Sequence, residues 1–288
     1  MASILSQHLR RIVHNVASDR APTIAKGYRN ARIVSVCARK GGVGKTTTAV
    51  NLAASFAARG KRVLLVDVDA QGHCTTALAT ALRGIAAGSL SEVLLGRRRD
   101  VQEIAVKTTI ANLSLTIGDK ELSDAEGVMA GKIGKEFLLR KSLKVARTHY
   151  DLIVIDCPPT LGNLTINALM ASDWLLVPCD MSVLALEGVD DIFETVETLA
   201  DTLNHHLAIL GVLRTRYDSR NKSVNECVEP ALENRYGRTL LNTRIPVNTR
   251  LAQAQAAGRP IMDFDGDCRG ATAYEDLTDE VAGRLGLR

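Results

Sequence analysis

The chain has 288 residues, of which 46% are hydrophobic and 24% charged, and 36 Lys and Arg against 32 Asp and Glu leave a net charge of +4. That is globular composition with length for one large domain, and no apolar stretch approaches the roughly 18 residues of a membrane span. Aromatic residues are only 3%, so a core must be built from Ala, Val, Leu and Ile, and the slight positive excess favours anionic partners without selecting one.

In residues 1–31, Ile4, Leu5, Leu9, Ile12, Val13 and Val16 recur at helical spacing with Arg10, Arg11 and His14 between them. No long apolar run with a small-residue cleavage site follows, so this stretch reads as an N-terminal extension and not as a secretory signal. From there on, apolar runs alternate with helical patterns. Strands are expected at 32–38, 62–67, 113–117, 151–156, 174–178, 207–213 and, most weakly marked, 239–242. Helices are expected near 45–59, 136–148, 163–171, 185–203, 222–236, 248–257 and 271–285. Runs such as Val63-Leu64-Leu65-Val66 and Leu152-Ile153-Val154-Ile155 suit strands buried on both faces. The alternation implies right-handed crossovers: an α/β fold with a mostly parallel twisted sheet and helices on both faces, in one domain over 32–288. Ligands of such sheets bind at the carboxyl ends of the strands.

The six cysteines, at positions 37, 74, 157, 179, 227 and 268, show no C-x-x-C spacing and suggest neither a zinc site nor a redox pair. Cys37, Cys157 and Cys179 end apolar strands and read as small core residues of a reduced, cytosolic chain. His205 and His206 have no nearby acidic or thiol partner in sequence and are expected on the surface.

Residues 40–47 read Lys-Gly-Gly-Val-Gly-Lys-Thr-Thr, between the apolar run 33–37 and the helical pattern 47–58. They fit the P-loop template G-x-x-x-x-G-K-[ST], with Lys40 standing where the first glycine is usual. Strand, loop and helix in that order are the context the motif needs. Gly41, Gly42, Val43 and Gly44 would turn successive backbone N–H groups onto phosphate oxygens, and Thr47 belongs to the same cradle. Lys45 would reach the β- and γ-phosphates and Thr46 would ligate Mg²⁺. Strand 62–67 runs out into Asp67-Val68-Asp69-Ala70-Gln71-Gly72. Carboxylates at i and i+2 leave an extended strand on one side; one can order Mg²⁺ through water while the other positions an attacking water. Strand 151–156 ends in Asp156 and runs into Cys157-Pro158-Pro159. An apolar run closed by an aspartate is a Walker B pattern, which sets Asp156 to hold the metal's water shell beside Thr46.

Lys-Gly-Gly-x-Gly-Lys-Thr is the deviant Walker A loop of the ParA/MinD group of ATPases, and the chain resembles that group. The resemblance continues through Leu184-Ala185-Leu186-Glu187-Gly188, Tyr217-Asp218-Ser219-Arg220 and Ile245-Pro246-Val247-Asn248-Thr249-Arg250-Leu251, so it covers about residues 32–285. Within the group the chain is most similar to the short chromosomal-type, Soj-like ParA class. The resemblance implies a P-loop NTPase fold that binds ATP and Mg²⁺ and hydrolyses ATP slowly, with stimulation by a partner. Lys40 would reach the phosphates bound by the other subunit of a nucleotide-sandwich dimer, and Gly41 would let the two loops approach. Asp69 would orient or activate the hydrolytic water and Asp67 would support the metal shell. The turn at Pro158-Pro159 and Leu161-Gly162-Asn163 resembles the segment that senses the γ-phosphate. Thr215 and Pro246 would lie at the adenine. Arg220 and Arg250 would contact DNA, with Arg216, Lys222, Arg238 and Arg244 extending the basic surface. Arg97-Arg98-Arg99 is a further charged loop. The chain departs from the pattern at Ala70 (usually proline), at His73 (usually asparagine) and at Arg39, where a polar amide is common.

The function so implied is an ATPase that dimerises on ATP, binds double-stranded DNA without sequence preference and partitions a chromosome or plasmid. It would lie in the cytoplasm on the nucleoid, with a ParB-like centromere-binding protein as partner. A MinD-like membrane regulator would need a terminal amphipathic helix with a basic face. The tail 274–288 is acidic in its first half, carries Gly283 and Gly286 and reads as a packing helix, whereas the N-terminal stretch with Arg10 and Arg11 is the better candidate for docking on a membrane or partner, or folds back on the domain. A ParA-like ATPase that positions a non-DNA cargo shares every motif. Metabolic P-loop enzymes such as dethiobiotin synthetase or the nitrogenase iron protein fit less well, the latter for want of cluster-ligating cysteines.

Overall fold

Eight strands share one sheet in the computed structural model, which describes residues 30–84 and 86–287. The strands are β1 Arg32–Val36, β2 Val63–Asp67, β3 Val106–Lys107, β4 Leu113–Thr116, β5 Leu152–Asp156, β6 Trp174–Asp180, β7 Ala208–Tyr217 and β8 Leu240–Pro246. Their order is β3-β4-β2-β5-β1-β6-β7-β8, and only β3 against β4 is antiparallel. The helices are α1 Lys45–Ala58, α2 His73–Ala77, α3 Leu90–Leu95, α4 Glu121–Ala130, α5 Leu138–Ser142, α6 Ala146–His149, α7 Asn163–Ala171, α8 Val183–Leu203, α9 Lys222–Tyr236, α10 Thr249–Ala256, α11 Ile261–Asp265 and α12 Arg269–Leu285. The expected N-terminal extension lies outside the described residues, Asn30 and Ala31 excepted.

The continuous apolar strands are continuous because both faces are covered. Ile33, Leu64, Val66, Ile153 and Ile155 pack in one cluster with α7 and α8. Their neighbours Val34, Val63, Leu65, Leu152 and Val154 pack in the other, with α1 and α12. A strand's period of two sends adjacent side chains to opposite faces, so each core takes every second residue. The tail is a packing helix, as its composition suggests: α12 buries Tyr274, Leu277, Val281 and Leu285. The Tyr274 hydroxyl lies 3.3 Å from that of Thr48 on α1, which ties the end of the chain to the helix that follows the P-loop.

Several expectations need correcting. The single helix expected over 136–148 is a 3₁₀ turn at Lys135–Phe137 followed by the short helices α5 and α6. Helices α2, α3, α4 and α11 and the edge strand β3 had no counterpart. They are short, and α4 shows only Leu122, Ala125 and Met129 as its buried face. Strands β7 and β8 run on to Tyr217 and Pro246, past the expected ends at 213 and 242. Their last turns are Arg214-Thr215-Arg216-Tyr217 and Thr243-Arg244-Ile245-Pro246, so the apolar signal stops before the hydrogen bonding does. His205 is buried at 9% exposure, its Nε2 2.9 Å from the Leu169 carbonyl oxygen, while only His206 is exposed. Asn204 ends α8 in the left-handed conformation at φ 49°, and the reversal carries the next residue inward. Burial holds the His205 imidazole below its ordinary pKa.

Leu277 is fully buried, so Leu277→Ala leaves a cavity under the sheet and should cost about 3 kcal/mol of unfolding free energy. Urea denaturation measures it; a loss under about 1 kcal/mol, the level of surface changes, would mean that α12 is not a core element.

Candidate nucleotide-binding site

Strand register builds this site. Asp67 on β2 lies opposite Asp156 on β5, and Asp156 lies opposite Val36 on β1. Three neighbouring strand ends therefore present two carboxylates and the start of the glycine-rich loop side by side. Both carboxylates are fully buried.

The loop enters α1 through Gly44, whose φ of 91° places it in the left-handed region that glycine occupies without strain. No side chain caps α1, so its first backbone N–H groups are left for an anion. The Thr46 hydroxyl donates to Asp156 Oδ2 at 2.7 Å. Lys45 is buried, and its Nζ donates to the Lys40 carbonyl oxygen at 3.0 Å, while its charge favours the ionised form of the nearby Asp156 carboxyl. Lys40 turns the other way: its Nζ donates to Asp180 Oδ2 at 2.7 Å and to Ser182 Oγ at 3.1 Å. Arg39 pairs with Asp191 on α8.

Asp67 Oδ1 accepts from the Asp69 amide at 3.2 Å, and its Oδ2 accepts from the amides of Cys74 and Thr75 at 3.1 and 3.4 Å. The N-terminus of α2 thus closes on this carboxylate. Strand β2 stops at Asp67, so Asp67 and Asp69 do not leave one extended strand together. Asp69 sits in the turn beyond it, where Oδ1 accepts from the Gln71 amide at 2.9 Å and Oδ2 faces His73 Nδ1 at 3.5 Å. Burial first, then the neighbouring Asp156, pushes the Asp67 carboxyl well above the usual range. Burial pushes Asp156 up to about 6, against hydrogen bonds from Thr46 and Cys74 that favour its charged form.

Two residues of this cluster carry no signal of their own in the sequence. The Cys74 thiol is completely buried and donates to Asp156 Oδ2 at 3.3 Å. Burial and the two carboxylates push it well above the ordinary thiol range, which keeps it a protonated donor. Gly118, just past β4, is the other. A Cβ there would lie 2.7 Å from the Asp69 carbonyl oxygen and 2.9 Å from Asp67 Cγ, so only glycine fits against the turn. Its position after a short strand was visible; what it faces was not.

Asp156 Oδ1 is buried and has no hydrogen-bond partner. An orphaned carboxylate oxygen beside a hydroxyl and a second buried carboxylate is a donor set that suits a hard divalent cation. Thr46, Asp156 and Asp67 are therefore the residues fit to hold Mg²⁺, directly or through water. The ligand atoms of Asp67, Cys74 and Asp156 all lie within 4.8 Å of one another.

The remaining expected residues are spread along the sheet. The Thr215 hydroxyl is buried and donates to the Val43 carbonyl oxygen at 2.8 Å, so it braces the loop. Pro246 is half-buried at the end of β8, opposite Tyr217. Arg220 and Arg250 follow the carboxyl ends of β7 and β8. Arg220 is exposed and forms two bonds to the Asp218 carboxylate at 2.9 Å. Arg250 pairs with Asp265 at 2.5 Å, and its guanidinium lies over the Phe264 ring at 5.4 Å. Arg244 is held by Glu229 at 2.7 Å and lies over Tyr217. Arg97 and Arg98 pair with Glu121 and Glu92.

Comparison with known proteins agrees with this geometry. An AAA domain family model matches residues 31–209. The chromosome partitioning protein ParA of Caulobacter vibrioides is 38% identical over 255 residues, which span 88% of this chain and 94% of the relative. The sporulation initiation inhibitor protein Soj of Bacillus subtilis is 40% identical over 254 residues, 87% and 98% of the two chains. The chain belongs to the ParA/Soj family of partition ATPases. A solved cobyrinic acid a,c-diamide synthase from Mycobacterium smegmatis, holding an ATP analogue and magnesium, is 32% identical, superposes with a TM-score of 0.73 and shares 86% of this chain and 93% of its own. Family membership makes this a nucleotide- and Mg²⁺-binding P-loop protein, and the buried carboxylates and uncapped α1 are the parts of it that meet the charge of both.

The fit at Gly118 is directly testable. Gly118→Ala should cost about 1–3 kcal/mol through overpacking and weaken Mg-ATP binding by displacing the Asp67–Asp69 turn. Gly127→Ala in α4, where a Cβ meets nothing within 4 Å, should stabilise by up to about 1 kcal/mol. Urea denaturation and calorimetric titration with Mg-ATP read both; equal effects at the two positions would contradict the packing described.

Proposed function

We propose that this chain is a switch in which ATP joins two copies and the joined pair binds DNA, so that hydrolysis times the release of a partitioned chromosome or plasmid. The observation that carries the reading is at Lys40 and Gly41. Gly41 is exposed, its φ is not positive, and a Cβ on it would meet nothing within 4 Å. Nothing among the described residues of one copy asks for a glycine there. A second copy brought close to the loop does. Lys40 lies beside it, half-exposed, held by Asp180 and Ser182. Facing a partner's nucleotide, the ammonium would exchange one carboxylate for the denser charge of the phosphates, a charge-assisted contact of the stronger kind.

Within each copy, the amides of the loop and α1, with Lys45, would bind the triphosphate. Mg²⁺ held at Thr46 and Asp156 would supply charge neutralisation. Asp69 would accept a hydrogen bond from the attacking water and orient it. The Ala70 and His73 departures leave that carboxylate braced by the Gln71 amide and facing an imidazole. Loss of the γ-phosphate would remove the contacts that join the copies.

Arg220 and Arg250 support the DNA half of the reading by position: both are exposed beyond adjacent strand ends. Each already has a carboxylate partner, so DNA phosphates must displace Asp218 and Asp265. Doubling such a weak patch in a dimer raises avidity without new contacts. A ParB-like protein is the expected stimulating partner, and the cytoplasmic nucleoid is the expected location. Against a MinD-like membrane role at the C-terminal helix, α12 buries its apolar face in the core.

The test is binding to a non-specific duplex with ATP, ADP or no nucleotide, at two salt concentrations. Binding should need ATP and should fall by about two orders of magnitude or more between 50 and 200 mM salt if several phosphates are contacted. It should persist in Asp69→Ala with hydrolysis lost, and disappear in Arg250→Ala. Binding that ignores the nucleotide, or none in any state, would overturn the reading.

A further inference from the structure

Helix α7 opens without a cap of its own. Its N-cap is Gly162, which has no side chain to offer, and its first turn holds no acidic residue. The orphan amides of a helix start need an acceptor, and here one comes from another helix. Glu126 on α4 accepts from the Leu164 amide through Oε1 at 3.2 Å, and its carbonyl oxygen accepts from Asn163 Nδ2 at 3.5 Å. A carboxylate in that place also meets the positive end of the helix dipole.

Gly162 is the residue that admits this carboxylate. Its φ of −86° and extended ψ suit any residue, so the backbone does not ask for glycine. The space does. A Cβ there would run into Glu126 Oε1 and lie 3.0 Å from its Cδ. Residues 126 and 162 therefore fit each other across two helices.

The cap fixes one end of the segment 157–162, which joins Asp156 to α7. The other end is rooted in the site. The Cys157 amide donates to the Val36 carbonyl oxygen at 3.2 Å, and the Asp156 carbonyl oxygen accepts at 3.1 Å from the amide of Val68, between Asp67 and Asp69. Pro158 and Pro159 fix two successive φ angles, so the segment is stiff and carries a shift at one end toward the other. Pro159 and Thr160 are exposed, and the Thr160 carbonyl oxygen accepts from the Thr165 hydroxyl on α7 at 2.5 Å. Resting on the ATPase reading, we infer that Glu126 is a positioning residue for ATP hydrolysis: seated on the first turn of α7, it holds 157–162 in place against Asp156 and the turn that carries Asp69. Glu126 is not part of the phosphate cradle, so its loss should appear in turnover and not in nucleotide binding.

ATP hydrolysis under steady-state conditions and calorimetric binding of Mg-ADP test this, in the wild type, Glu126→Ala, Glu126→Gln, Gly162→Ala and the double variant Glu126→Ala/Gly162→Ala. Glu126→Ala should lower kcat about tenfold or more and leave Mg-ADP affinity unchanged. Glu126→Gln keeps an oxygen for the Leu164 amide and should recover most of the rate. Gly162→Ala should match the loss in Glu126→Ala, because the new methyl group evicts the flexible end of the glutamate while the backbone stays allowed. The double variant should be no slower than Glu126→Ala alone, since the clash needs the glutamate; contacting residues depart from additivity in this way. An unchanged kcat in Glu126→Ala, or additive losses in the double variant, overturn the inference. So does an equal fall in Mg-ADP affinity, which would make Glu126 a general prop of the fold. A wild-type chain that binds Mg-ADP but hydrolyses no ATP would overturn the ATPase reading, and this inference with it.

Discussion

Two carboxylates buried side by side, Asp67 and Asp156, are the constraint on which the rest of the structure turns. They are register partners on adjacent central strands, and neither is exposed. Burial disfavours the charged form of each and shifts both upward, with the neighbouring Asp156 adding to the shift of Asp67 and Asp69 to that of Asp156. The chain answers with donors: amides of Asp69, Cys74 and Thr75 on one carboxylate, the Thr46 hydroxyl and Cys74 thiol on the other. The donor set is incomplete, since Asp156 Oδ1 is left without one. That deficit suits the site to a divalent cation, which would in turn neutralise charge on a triphosphate in the loop above.

The parts that surround the pair follow from it. Helix α2 starts where it does because its first amides serve Asp67. The β4 exit must carry a glycine because its backbone passes against the Asp67–Asp69 turn. Thr215 braces the P-loop from the β7 side through Val43, so the loop is held from two directions before any ligand arrives.

The architecture of this site was largely legible in the amino-acid order. The octapeptide 40–47 and the aspartates at 67 and 156 mark strand ends, with Asp69 in the turn beyond, and continuous apolar runs bounded by these motifs suit strands with both faces covered. What was not legible depends on contacts across the sheet. Cys74 looked like one of six scattered cysteines, because its partner Asp156 lies far off in sequence at the end of β5. Gly118 looked like a loop residue, and His205 looked exposed until Asn204 turned the chain inward. The ends of β7 and β8 were cut short because Arg214, Thr215 and Arg216 in one and Asn242, Thr243 and Arg244 in the other break the apolar pattern while the hydrogen bonding continues, and Arg216 reads as one more surface charge until its φ is known.

The cations of the loop share one arrangement in the single copy. Lys40 and Arg39 are tied to carboxylates of β6 and α8, and Lys45 to a carbonyl. On the proposed reading, phosphate displaces these contacts and nucleotide releases Lys40 outward, where Gly41 leaves room for a second loop. The molar mass in solution of Asp69→Ala, measured by sedimentation equilibrium with Mg-ATP and with Mg-ADP, tests this most directly. The account predicts a dimer with ATP and a monomer with ADP, and a monomer in both when Lys40→Ala is added. The same mass in every nucleotide state, or an ATP dimer that survives the loss of Lys40, would contradict it.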